Sequence, residues 1–253
     1  MKLLILGGTK DARQLSQAIH HAQPELCITY SVAGLVRQPQ VPAQVISGGF
    51  TQHGGLAAYC QAQQIDAVLN ATHPFSCHMG QVASQACTQL GLTYWRFLRP
   101  QWQQQSADDW RLFDHTSDLL QAMAGYQRIA LTLGQVSPEE LALLHPNGQI
   151  WLRTAVAPKH NLPAQVSWIK AIGPFAEADE LALFKQHQIQ AIACKNSGGS
   201  ATQAKLTAAR TLGLPVFMLQ RPAITGPVEQ DFDALVKQVS HWAQLTKGSI
   251  HEQ

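Results

Sequence analysis

The chain has 253 residues, 45% hydrophobic, 13% charged and 7% aromatic, with a formal net charge of +2 at pH 7. That length suits one large α/β domain or two compact lobes, each with a real core; the near-neutral balance, without a basic stripe, argues against a nucleic-acid partner. No apolar run reaches the roughly 18–20 residues of a membrane helix, and the five cysteines (27, 60, 77, 87 and 194) form no Cys-x-x-Cys pair, which favours reduced thiols in the cytoplasm.

The opening Met1-Lys2-Leu3-Leu4-Ile5-Leu6-Gly7-Gly8 has too short an apolar stretch for a signal peptide and runs directly into a turn, so it reads as a buried first strand. From there short apolar runs alternate with helix-length segments. Strands are predicted over 2–6, 26–32, 44–47, 66–71, 93–97, 128–133, 150–154, 166–172, 190–195 and 215–219. Helices are predicted between them, over 10–22, 54–64, 77–90, 116–124, 137–144, 176–187, 201–212 and 230–245. Gly91 and Gly213 stand where helices end and a left-handed residue is wanted. The stretch 99–127, with Pro100, three consecutive glutamines, Trp102 and Trp110, interrupts the rhythm. The expected architecture is α/β: two Rossmann-like lobes with mainly parallel sheets, helices on both faces and a ligand cleft between them. The expected division is 1–110 for the first lobe, 111–246 for the second and 247–253 for a frayed tail.

Two glycine turns follow predicted strands. Gly7-Gly8-Thr9-Lys10-Asp11-Ala12-Arg13 lacks the G-x-G-x-x-G spacing of the dinucleotide fingerprint. It reads either as a tight strand-to-helix turn or as a pyrophosphate cradle, in which Gly8, the Thr9 hydroxyl and Arg13 contact the cofactor. After the second strand, an NAD site would carry an acid for the ribose. Here Thr29 to Arg37 contains none, while Ser31 and Arg37 suit a ribose 2′-phosphate. NADPH is therefore favoured over NADH, unless Arg37 is a plain solvated loop residue. Thr72-His73-Pro74 closes the fourth of these strands, and Pro74 holds His73 extended. Thr72 is expected beside the cofactor, and His73 is the candidate catalytic residue, for positioning or proton donation; water is the other proton source. His73, Cys77 and His78 match no common zinc spacing, so no metal is expected.

The second turn is Lys195-Asn196-Ser197-Gly198-Gly199-Ser200. It combines a cation, hydroxyls and glycines before a helix, but it lacks the P-loop ending, which disfavours ATP hydrolysis. Lys195, Ser197, Gly198, Gly199 and Ser200 are the candidate anion-binding residues, with Asn196 or Ser197 capping the helix. Arg96, Arg99, Arg153, Lys159 and Arg221 fall at or beyond strand ends and together could surround a polyanion.

Taken together these segments resemble the precorrin-6A reductase family of cobalamin biosynthesis. The likeness runs through Gly7-Gly8-Thr9 with Ala12-Arg13, Ser31 to Arg37, Gly48-Gly49-Phe50, Asp66 to Phe75, Arg99-Pro100 with Trp102, Gly173-Pro174-Phe175, and Lys195 to Gly199 with Lys205 and Ala208-Ala209-Arg210. The resemblance implies a reduced nicotinamide delivering hydride to a ring D double bond of a polycarboxylated tetrapyrrole, either metal-free or carrying cobalt. The cofactor would lie at Gly8, Thr9, Arg13, Ser31, Arg37 and Thr72, and the carboxylates at Lys195 and Ser197 to Ser200. The family motif usually has Asp where this chain has Asn196. A monomer or small homo-oligomer is expected. The alternatives are an NADP-dependent oxidoreductase acting on a smaller acid and a non-catalytic two-lobed nucleotide sensor.

Overall fold

The computed structural model describes residues 1–34 and 39–248. The chain forms two compact units: residues 1–100 with 223–253, and residues 101–222.

Unit 1 begins with β1 (Lys2–Leu6), α1 (Lys10–Ala22), β2 (Cys27–Val32) and β3 (Gln44–Ser47). It continues through α2 (Leu56–Gln63), β4 (Ala67–Asn70), α3 (Cys77–Leu90) and β5 (Thr93–Arg96). Its five strands are parallel in the order β3-β2-β1-β4-β5. Successive residues of β1 point to opposite faces, so its unbroken apolar run serves two cores. Leu3 and Ile5 pack with Ala12, Leu15 and Ile19 of α1. Leu4 and Leu6 pack with Leu56 and Tyr59 of α2 and Ala83 and Ala86 of α3. The strand order reverses between β1 and β4, the switch point beside which open α/β sheets bind ligands.

Unit 2 comprises β6 (Trp110–Phe113), α4 (Thr116–Ala122), β7 (Arg128–Thr132), α5 (Pro138–Leu141), β8 (Gln149–Thr154) and β9 (Val166–Lys170). It is completed by α6 (Glu177–Gln186), β10 (Ala191–Lys195), α7 (Ala204–Leu212) and β11 (Val216–Leu219). Six parallel strands run in the order β6-β11-β10-β7-β8-β9, with the switch point between β10 and β7. Ile192 and Cys194 pack with Phe184 of α6 and Leu206 and Ala209 of α7, while α4 lies against β6 and β11.

The last helix, α8 (Phe232–Gly248), belongs to unit 1. The returning chain pairs with the end of β5: Leu98 N–H donates to Glu229 O at 2.8 Å and Glu229 N–H to Arg96 O at 2.8 Å. Leu235 and Val239 then join the core of Leu3 and Ile5.

The two-sheet parallel α/β architecture matches expectation, but the division does not. The first crossing falls at 100/101 rather than 110/111, and residues 223–246, expected in the second lobe, cover the first sheet. Strand β6 was not anticipated; among the described residues it is an edge strand paired with β11. The expected frayed tail, 247–253, begins inside α8, and residues 249–253 lie outside the described residues.

Candidate functional site

In unit 1 the turn after β1 holds two glycines for different reasons. A Cβ on Gly7 would lie 2.2 Å from Cζ of Tyr30, so only glycine lets that ring lie across the turn. Gly8 has φ +99° and open space around it, so its requirement is conformational. Gly8 N–H donates to the Tyr30 hydroxyl at 3.1 Å. Burial pushes the Tyr30 phenol up, opposed by the Gly8 hydrogen bond and the charge of Arg13.

Thr9 is the N-cap of α1: its Oγ1 accepts from Ala12 N–H at 3.0 Å and donates to Ala71 O at 2.9 Å. Both bonds stay within the protein, so the hydroxyl expected on the cofactor is engaged in fixing the turn against the end of β4. Thr72 Oγ1 donates to Asn70 Oδ1 at 2.8 Å, and Asn70 Nδ2 donates to Tyr94 Oη at 3.1 Å. His73 Nδ1 accepts Phe75 N–H at 3.3 Å, a bond that assigns the ring proton of the neutral imidazole to Nε2.

These residues converge. A cavity of about 320 Å³ is lined by Gly7, Gly8, Ser31, Gly34, Gly49, Phe50, Thr72, His73, Ser76 and Met79, among others. Of the expected cofactor residues, Gly8, Ser31 and Thr72 line it together with His73. Arg13 stands half-buried on the first turn of α1. Arg37 lies outside the described residues. Glycines at a helix start, a hydroxyl at the end of β2 and a cavity at the sheet's switch point fit a dinucleotide.

In unit 2 the Lys195 turn sits at the corresponding switch point. Gly198 and Gly199 have φ +66° and +76°. Gly134, after β7, lies across from it: a Cβ there would be 3.7 Å from Lys195 Nζ. Burial lowers the Lys195 ammonium from its ordinary value. Arg221 donates to Asn196 O and Ser197 O, both at 2.8 Å, and Trp102 Nε1 donates to Gly199 O at 3.0 Å. In a trans peptide C=O and N–H point oppositely. With these carbonyls held by Arg221 and Trp102, the N–H groups of Gly198 and Ser200 are directed away from those side chains. Backbone N–H groups aligned in this way, with a lysine beside them, are the groups that an anion site at a turn uses.

The helix cap expected of Asn196 is not formed. Asn196 is 6% exposed, and its Oδ1 accepts Trp102 N–H at 3.0 Å while Nδ2 donates to Trp102 O at 3.4 Å and Gln101 Oε1 at 3.3 Å. Nor does the helix start at 201: Ser200–Thr202 form a 3-10 turn, and α7 begins at Ala204 without a side-chain cap. The amide instead ties residues 101–102 to the turn. Trp102 lies under Lys205 Nζ, 4.8 Å from the ring centroid. Phe175 N–H reaches Ala201 O at 3.2 Å, bringing the Gly-Pro-Phe segment alongside.

The basic residues read as one polyanion cluster have separate roles. Arg99 pairs with Asp11, Arg153 with Glu180, and Arg221 grips the turn; Arg96 is buried against Gly80. Sequence reasoning missed Tyr30 and Asn70 as supports of the first turn. The signal for Tyr30 was Gly7, whose partner is set by the parallel register Ile5 to Tyr30. Among the described residues no three His, Cys, Asp or Glu side chains gather to hold a metal ion, and no helix is long and apolar enough to cross a membrane.

A doubly wound parallel sheet with a glycine turn and a cavity at its switch point defines a nucleotide-binding α/β protein. The chain belongs to the precorrin-6x reductase CbiJ/CobK family, whose model matches residues 2–243. It is 35% identical over 250 residues to a precorrin-6A reductase from Rhodococcus erythropolis, covering 97% of this chain and 99% of that one. It is 36% identical over 231 residues to the precorrin-6A reductase of Mycobacterium tuberculosis strain H37Rv, covering 90% and 91%. A cobalt-precorrin-6A reductase from Methanothermobacter thermautotrophicus is 24% identical over 98% of this chain and 85% of its own length. A solved structure of CobK precorrin-6A reductase superposes with a TM-score of 0.85 at 29% identity, over 95% of this chain and 96% of that one.

Proposed function

We propose that this protein is an NADPH-dependent reductase that converts precorrin-6A, or its cobalt form, to the corresponding precorrin-6B by saturating one ring D double bond. Family membership and near full-length similarity to precorrin-6A reductases support the reaction class. The observation that supports the assignment of ligands is the pair of glycine turns, each at the switch point of its own sheet.

The cofactor falls to unit 1. Gly8 and the start of α1 receive the pyrophosphate, Arg13 adds charge, and Ser31 with Arg37 takes the 2′-phosphate. Thr72, held by Asn70, bounds the cavity beside His73. A bound reduced nicotinamide supplies the hydride. Substrate carboxylates fall to Lys195 and the turn from Ser197 to Ser200. The reduction also needs one proton at carbon; His73 carries one on Nε2, and water is the other source. The five cysteines are free thiols, in keeping with a reducing cytoplasm.

The test is an anaerobic assay with metal-free and cobalt-loaded precorrin-6A, following NADPH absorbance. Oxidation of NADPH dependent on either substrate is the expected result, and the faster one identifies the natural form. NADPH binding without turnover of either would favour a nucleotide sensor and overturn the proposal.

A further inference from the structure

A second cavity of unit 1, of about 160 Å³, lies along α3. Arg96, the last residue of β5, is one of its walls and is only 9% exposed. Exposed Gln81 and Ser84 of α3 and Thr225 of the returning chain form its rim. Gly80 makes room for the guanidinium: a Cβ there would lie 2.2 Å from Arg96 Nη1.

Other arginines in the protein are satisfied differently. Arg99, Arg153 and Arg210 pair with Asp11, Glu180 and Asp108, and Arg221 donates to two carbonyls. The Arg96 guanidinium has no hydrogen bond or ion pair among the described residues, although it is nine-tenths buried. A guanidinium cannot shed its proton. The Arg96 nitrogens are not sealed from solvent but line the cavity, where an anion gains a charge-assisted hydrogen bond.

We infer that this cavity binds one peripheral carboxylate of the tetrapyrrole through Arg96, an inference that rests on the proposed substrate. The planar fork of arginine matches two carboxylate oxygens, and amide and hydroxyl groups on the rim supply further hydrogen bonds. The cavity is small enough to take a side-chain carboxylate and exclude a ring. It also adjoins the larger cavity: Ser76 and Met79 line that one, Cys77 and Gly80 this one, all at the start of α3.

Two variants of the full chain test this. Gln81→Glu places a carboxylate on the rim of the cavity as an internal partner for Arg96, at an exposed helical position that tolerates it. Arg96→Gln removes the charge. Each should raise KM for precorrin-6A about ten- to hundred-fold, with the Kd for NADPH, measured by fluorescence titration without substrate, unchanged; Gln81→Glu should also raise Tm. Should Arg96→Gln fail to fold, Gln81→Glu decides alone. An unchanged KM in folded variants would make Arg96 a structural prop, and a weakened NADPH Kd would assign the cavity to the cofactor; either overturns the inference while normal wild-type turnover leaves the proposed function standing. Absence of wild-type turnover would remove both.

Discussion

Gly7→Ala should destabilise unit 1 by about 1.5–4.5 kcal/mol through its contact with Tyr30. The new Cβ would meet three atoms of the Tyr30 side chain, at 2.2 Å from Cζ, 2.5 Å from Oη and 2.6 Å from Cε1, where ordinary contact begins near 3.4 Å. The ring must therefore retreat by roughly an ångström, and it is fully buried. Overpacking of that kind costs about 1–3 kcal/mol. The displaced hydroxyl also loses Gly8 N–H, worth about 0.5–1.5 kcal/mol. Urea denaturation measures the sum, with an unchanged m-value as the check that only stability has moved. The decisive comparison is a double-mutant cycle with Tyr30→Leu, which removes all three clashing atoms. In that background Gly7→Ala should cost less than about 1 kcal/mol. Equal losses in both backgrounds would refute the explanation. Gly8→Ala has open space and fails for a different reason, its positive φ, so its cost of about 1–2 kcal/mol should not be rescued by Tyr30→Leu.

Arg37→Ala should weaken NADPH by about 1.5–3 kcal/mol, one charged hydrogen bond, and leave NADH unchanged; equal loss for both cofactors would remove the 2′-phosphate role. Lys195→Ala should raise KM for the tetrapyrrole with little change in NADPH affinity. On the proposed reading the Lys195 charge binds the carboxylate, and burial lowers its pKa. Substrate KM should therefore rise with pH at values below those of an ordinary lysine, and Lys195→Arg should abolish that alkaline limb; a limb that persists in Lys195→Arg would assign it to another group. Asn196→Ala leaves the Trp102 N–H without its acceptor and should cost about 1–3 kcal/mol in denaturation, whereas Asn196→Asp keeps an acceptor oxygen and should cost less. Turnover should survive dialysis against a chelator, with elemental analysis showing no stoichiometric zinc or iron.

The alternation of apolar runs and helix-length segments made both sheets legible, because buried parallel strands such as Leu3–Leu6 and Ala191–Cys194 need no help from distant sequence to declare themselves. Strand β6 escaped because Trp110–Phe113 is a half-exposed edge with one neighbour and follows a glutamine-rich stretch. The helix of α8 was equally readable, but nothing in its own pattern says which sheet Leu235 and Val239 cover. That is decided by the Glu229 hydrogen bonds at the end of β5. Of the candidate residues, the turn glycines were legible from the local backbone, since Gly8, Gly198 and Gly199 have positive φ, while Thr9, expected on the cofactor, caps α1. Those set by a contact far along the chain were not: Arg221 stands beyond a strand end as one of several basic residues, and nothing local shows its hold on the carbonyls of Asn196 and Ser197.

The same distinction bears on the reaction. Each glycine turn is held by an aromatic residue of its own unit, with opposite polarity. In unit 1 the Tyr30 hydroxyl accepts an amide proton; in unit 2 the Trp102 indole donates to a carbonyl. The first arrangement occupies the Gly8 N–H, so an anion there depends on neighbouring groups and on the start of α1. The second occupies a carbonyl, as does Arg221, and so directs N–H groups outward. Asn196 secures this by binding the backbone of the segment that carries the indole. Its side chain is thereby committed to Gln101 and Trp102, and an amide cannot act as a proton donor in the role an acid could fill. On the proposed reading the substrate proton comes from His73 or from water, and residue 196 acts on how firmly the turn is held.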